Sequence, residues 1–201
     1  MRSSPAGSMG CCGWPPSAAT GTTMHTARSH FALEGGLQWS GAPASPWLRA
    51  GWNRASGDDD ESDDEHGTFF PMLPTGRKYS LSATYATMNL DDRFVQLIAR
   101  PHAKVTVRGD VHWLRLAEAA DLWYAGSGAT QKRGTIFGYA GRRSGGSTSF
   151  GTVLEGSADW TITPHWSING YAGWIRGSDV VRTSFAGDRL TFAYIENVLQ
   201  F

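Results

Sequence analysis

The 201 residues carry 18 Lys and Arg against 18 Asp and Glu, with nine Trp, nine Phe and 25 Gly. That length suits one domain with ample chain for a core, and the aromatic, glycine-rich composition suits a β protein full of turns. No apolar run approaches the ~20 residues of a helical membrane span, which excludes transmembrane helices but not a membrane β-barrel, whose signal per strand is weak. The zero net charge hides an asymmetry. Seven of the acidic residues lie between Asp58 and Glu65, which leaves the remaining chain with 18 basic against 11 acidic side chains. If the acidic run is a loop, the scaffold is basic and suits an anionic partner.

Residues 1–29 are rich in Ser, Gly, Pro, Ala and Thr without periodicity and read as a disordered tail. Cys11 and Cys12 are adjacent, lack a zinc-ligand set, and follow SSPAGSMG, which is not the apolar run of a lipoprotein attachment site. No apolar segment of the signal-peptide kind follows Arg2, so the chain reads as less than a complete precursor.

From residue 30 the pattern changes. Phe31, Leu33, Leu37 and Trp39 share one parity against Glu34 and Gln38; after a turn at 41–45, Leu48, Ala50 and Trp52 alternate with Arg49 and Asn53. A long excursion, 56–90, holds GDDDESDDEHG, TFFPMLPTGRKYS and a short alternating piece from Tyr79 to Tyr85. The stretch 92–116 then sets Val95, Leu97 and Ala99 against Gln96 and Arg100. Beyond a tight turn at 101–103 it sets Val105, Val107, Val111 and Trp113 against Lys104, Arg108, Asp110 and His112. A second excursion, 117–149, is rich in Gly, Ala and Ser. Residues 152–163 and 166–176 alternate about a turn at 163–165, with Leu154, Trp160, Trp166 and Trp174 on the apolar parity and Glu155 on the polar one. A loop at 177–188 leads to a last strand, 189–201.

Side chains alternate faces along a strand, so each run has one apolar and one polar face. A soluble sandwich turns the apolar face to a core; a transmembrane barrel turns it to lipid. Short and long connections alternate strictly here, as they do between the two ends of an outer-membrane barrel, and the chain ends on Phe201 with Leu199 and Ile195 on its parity. The expected fold is all-β: an antiparallel transmembrane β-barrel, represented by about seven strands over residues 30–201. Seven strands with short turns at one end do not make an even-numbered barrel, so these read as the C-terminal part of a larger one with its other strands upstream.

The stretches GDDD, TFF-LPTGR, HWLRLA-AADLWY and the terminal Phe, in that order, resemble the C-terminal half of the alginate-export family of outer-membrane proteins. The resemblance covers about residues 47–201, and residues 1–29 are not recognisable in it. It implies an 18-stranded barrel through which an acidic polysaccharide leaves the periplasm by way of a basic, constricted lumen.

The candidate pore-lining residues are Arg49, Arg100, Lys104 and Arg108, with Asp110 and Glu155 among them. Each sugar of a polyuronate carries a carboxylate, which the guanidinium fork recognises without losing its proton, and a pore must bind weakly enough to release. The competing reading is that Arg108 and Asp110, two apart on one face, simply pair. The acidic run 58–65 could bind Ca²⁺ or gate the mouth, but its spacing is not that of an EF-hand and a solvated loop is the simpler reading. Trp113, Trp160, Trp166 and Trp174 read as an interfacial girdle; Trp123 and Tyr124 read as loop packing rather than sugar stacking. The histidines are scattered, so no metal set or cofactor is expected. RGD at 108–110 lies within a strand, and no catalytic constellation can be assembled.

The function expected is therefore not enzymatic: a channel in the Gram-negative cell outer membrane for passive export of an alginate-like anionic polysaccharide. Its surroundings would be outer-membrane lipid and periplasmic export machinery, and no nucleic acid is expected. The alternatives are a general or small-solute porin on the same barrel and a soluble β-sandwich binding module.

Overall fold

The computed structural model describes residues 28–60, 67–71, 84–124 and 141–201. The strands in chain order are β1 (His30–Gln38), β2 (Trp47–Ala55), β3 (Leu90–His102), β4 (Val105–Arg115), β5 (Leu122–Tyr124), β6 (Gly141–Arg143), β7 (Ser149–Thr163), β8 (Trp166–Gly177) and β9 (Arg189–Leu199). One short helix, α1 (Asp179–Ser184), precedes β9. Seven strands form one antiparallel sheet in the order β1-β2-β3-β4-β7-β8-β9, and β5 pairs with β6 in a separate ribbon.

The seven-strand expectation holds, as does the alternation of short and long connections. Element ends shift by one to three residues, and one shift moves a turn. β3 continues through Pro101 to His102, so the turn is Ala103-Lys104, not 101–103. The ladder slips between Ala99 and His102, and a bulge is where a strand tolerates a proline with no N–H to donate. The alternating piece from Tyr79 lies almost wholly outside the described residues, as do residues 61–66 of the acidic run. The ribbon β5-β6 and α1 have no counterpart in the sequence pattern, being too short to show a period.

Register assigns the faces. Gln96 stands opposite Arg49 and Asp110, Asp110 opposite Glu155, and Glu155 opposite Gly173, so the polar parities of five strands share one side. The other side carries Leu33, Leu37, Leu48, Leu97, Leu154 and Ile195, all exposed. No helix among the described residues is long and apolar enough to cross a membrane; the elements that suit crossing are these strands.

The tryptophans of the apolar face fall into two bands. Trp160 and Trp166 lie at the short-turn ends of β7 and β8, and Trp113 and Trp174 at the long-loop ends of β4 and β8. Trp166 and Trp174 are eight residues apart, about 27 Å of strand. A tilt of ~40° turns that into about 20 Å of depth, close to the ~25 Å apolar band of an outer-membrane barrel. Leu97, paired with Leu48 and Gly109, sits between the bands. Leu97→Arg is expected to destabilise insertion by about 2–4 kcal/mol, the midplane value for a lipid-facing cation. Denaturant titration in lipid vesicles measures it; an unchanged midpoint would remove this face from the lipid.

At the long-loop end the connections fold inward. Leu114, Trp123, Phe150, Val153 and Val180 are buried together there, with Val153 and Val180 fully enclosed. α1 lies against β7, β6 and β8, so the apolar core of the described residues sits at one end of the sheet rather than along its length.

Candidate functional site

One ladder row of the inward face carries Arg49, Gln96, Asp110 and Glu155 side by side on β2, β3, β4 and β7. Gln96 joins the row: Arg49 donates to its Oε1 at 2.8 Å, and its Nε2 donates to Asp110 Oδ2 at 2.8 Å. Arg49 also forms an ion pair with Glu34 across β1 and lies over the Trp47 ring at 4.9 Å. Arg108, two residues along β4, donates Nε to Asp110 Oδ2 at 2.6 Å and closes a second, short contact through Nη2. Tyr171 donates its hydroxyl to Glu155 Oε2 at 2.8 Å. The result is a chain of charge-assisted bonds from Glu34 to Arg108 across four strands.

The carboxylates are deeper than the cations. Asp110 and Glu155 are each only 3% exposed, whereas the Arg49 and Arg108 side chains keep 25% and 22% exposure. A buried carboxylate needs partners, and the arginines supply them while their outer edges still face the open side of the sheet. The pairing of Arg108 with Asp110, the simpler of the two sequence readings, is present. It leaves a partly exposed guanidinium on the inward face.

Arg100 and Lys104 are not part of this group. Arg100 is exposed at the β3 bulge, its backbone N–H donating to Ala44 O at 2.7 Å. Lys104 occupies the Ala103-Lys104 turn, where its Nζ donates to Ile162 O at 2.8 Å and ties that turn to the end of β7. Both mark the short-turn rim, away from the row.

The sequence reading passed over Glu34, Asp92, Gln96, His112 and Tyr171. His112 is 1% exposed; its Nδ1 lies 3.0 Å from Asp92 Oδ1, and Phe94 stacks on its ring at 5.4 Å. Phe94 lies flat there because residue 51 is glycine: a Cβ on Gly51 would come within 2.4 Å of Phe94 Cε1. Parity already placed these residues inward. What was missing was the register that makes them neighbours.

A second buried node sits in the loops. Asp121 accepts from the Asp58 N–H at 3.1 Å, the Thr68 hydroxyl at 2.7 Å, the Leu122 N–H at 2.6 Å and the Tyr124 hydroxyl at 3.2 Å. Asn89, fully buried with φ +48°, donates to Glu118 O and Leu122 O and accepts from the Glu118 N–H. Asp58, Thr68, Asp121 and Tyr124 belong to the GDDD, TFF and AADLWY stretches, so those sequence signatures meet at one point and hold the loops. Trp123 is buried edge-on to Phe150 at 5.2 Å and donates to Ser184 Oγ at 3.1 Å, which is the loop packing expected of it. Asp110 of the RGD sequence is buried within β4.

Burial first, and then the Asp121 carboxylate, push the Tyr124 phenol well above the ordinary tyrosine range. A phenol held neutral stabilises the folded loops below the ordinary phenol pKa, and that stability is lost as pH rises above it, because the unfolded chain ionises first. In a phenolate absorbance titration, Tyr124→Phe is expected to remove a component that ionises above the exposed phenols. Loss of an ordinary component instead would contradict the buried placement.

A strand wall with an aromatic-banded apolar face and an ion-paired polar face is that of an outer-membrane β-barrel; here it is a partial one, with β1 and β9 as unjoined edges among the described residues. The family model for alginate export matches residues 13–185, and the chain belongs to that family, one of outer-membrane transport proteins. The match begins ahead of β1 and takes in residues 13–29. No curated protein matches the chain.

Proposed function

We propose that these strands form the C-terminal wall of an outer-membrane channel through which an alginate-like anionic polysaccharide is passively exported from the periplasm. The observation that carries this reading is the partly exposed Arg49 and Arg108 anchored by Glu34 and Asp110 on the inward face. Anchoring fixes each guanidinium in place, so little side-chain entropy is lost when a sugar carboxylate arrives. Sharing its charge with a carboxylate also keeps binding weak, which conduction requires. Membership of a polysaccharide-export family supports the same substrate class.

Outer-membrane lipid would cover the leucine and tryptophan face, and periplasmic export machinery would meet the short-turn rim where Arg100 and Lys104 stand. A closed barrel needs further strands along β1 and β9, because backbone groups left unpaired in hydrocarbon cost several kcal/mol each. The test is single-channel recording in planar bilayers on the completed barrel while polymannuronate is titrated in. Expected is an anion-selective channel blocked by micromolar polymer. A channel that passes small anions and cations alike and ignores the polymer would make it a general porin.

A further inference from the structure

We infer that Asp110, His112 and Glu155 form a binding site for one divalent first-row transition metal ion in the sheet's inner wall. One atom from each lies within 4.8 Å of the other two, and all three residues are buried. The independent observation is His112. The side chain is 1% exposed, and its Nε2 is enclosed with no hydrogen-bond partner among the described residues. Its Nδ1 faces both Asp92 carboxylate oxygens, at 3.0 and 3.1 Å, and lies 3.5 Å from the Tyr85 hydroxyl. A carboxylate only accepts, so in the neutral ring it places the proton on Nδ1 and leaves a lone pair on Nε2. That is the carboxylate–histidine arrangement that orients an imidazole for a metal.

The carboxylates are prepared in the same way. Asp110 Oδ2 is occupied by Gln96 and Arg108, while among the described residues Asp110 Oδ1 is buried without a partner. Glu155 is held through Oε2 by Tyr171, and the register sets it directly opposite Asp110. Asp110 and His112, two apart on β4, present side chains to the same face. Each ligand therefore has an outer partner that fixes it. One imidazole with two carboxylates suits Mn²⁺, Fe²⁺, Co²⁺ or Zn²⁺ rather than Ca²⁺, which prefers oxygen ligands alone. The ion would also supply positive charge between two buried carboxylates on adjacent strands, where like charges otherwise repel. Its role is to tie β4 to β7.

The test is Co²⁺ added to the folded full chain in detergent micelles, read by visible absorption, with Zn²⁺ and Mn²⁺ stoichiometry from equilibrium dialysis. Expected is one equivalent of Co²⁺ giving visible d–d bands and displaced by Zn²⁺. His112→Gln should abolish the bands, and Asp92→Asn, which touches no ligand atom, should weaken binding about 10–100-fold. Glu155→Gln keeps the side-chain volume and serves where His112→Gln does not fold; it too should lose the bands. Absence of stoichiometric metal would overturn the site. So would affinity unchanged in His112→Gln or Glu155→Gln, which would place the metal elsewhere, for example at Cys11 and Cys12.

Discussion

Asp121→Ala is expected to open the loop assembly while leaving the seven-stranded sheet paired. Four donors converge on that carboxylate, two of them backbone amides, and each buried donor left without an acceptor costs about 1–3 kcal/mol. Water re-entering the space recovers part of this, so the loss is expected at about 3–5 kcal/mol. It should appear as faster hydrogen exchange at the Asp58 and Leu122 amides and as proteolysis in the long loops, with exchange along β3, β4 and β7 unchanged. The Tyr124 phenol should also fall back toward the ordinary range, since the carboxylate is one of the causes of its elevation. Protected amides in the variant would mean that the apolar cluster around Trp123 and Phe150 holds the loops unaided.

Arg108→Glu is expected to give the largest functional effect. The substitution replaces a partly exposed cation with an anion beside Asp110, on a face that already carries Glu155 on the next strand. A polyanion entering such a wall meets repulsion where it met a guanidinium fork, and weaker polymer block by tenfold or more follows from a change of about 1.4 kcal/mol in binding. Arg49→Glu should act in the same direction through the loss of its pair with Glu34. Arg108→Lys keeps the charge but not the fork and should fall between the two. The differences should shrink at high salt. Equal block in all variants would show that these arginines serve only to neutralise buried carboxylates.

The fold was legible to the extent that parity carries it. Leu48 against Arg49, Leu97 against Gln96 and Leu154 against Glu155 each announce a two-faced strand, and seven such strands are present. Where contacts rather than period make the structure, the sequence was silent. β5 and β6 are three residues each and exist because Trp123 and Tyr124 are buried on long-range neighbours. α1 is fixed by Val180, enclosed against β7 and β8. The Pro101 turn was misplaced because a bulge changes the count of residues without changing the composition.

The site was half legible. Arg49, Arg108, Asp110 and Glu155 lie together as their parity requires, but Arg100 and Lys104, on the same nominal parity, were carried to the rim by the bulge and the turn. His112 and Asp92 could not be paired from spacing, since only the β3–β4 register, which sets Phe94 opposite His112, brings Asp92 diagonally beside it on the same face. Residues of the GDDD, TFF and AADLWY signatures hold the loops around Asp121, a structural role that names no substrate.

The most direct test of the two-faced wall is cysteine scanning along β4, from 105 to 115, in the completed barrel with Cys11 and Cys12 changed to Ser, folded into lipid vesicles. A charged, membrane-impermeant thiol reagent should label cysteine at 106 and 108 and spare cysteine at 107 and 111, with the deeply packed 110 and 112 slow. Labelling that ignores parity, with the protein remaining in the aqueous fraction, would contradict the membrane wall and return the chain to a soluble sandwich.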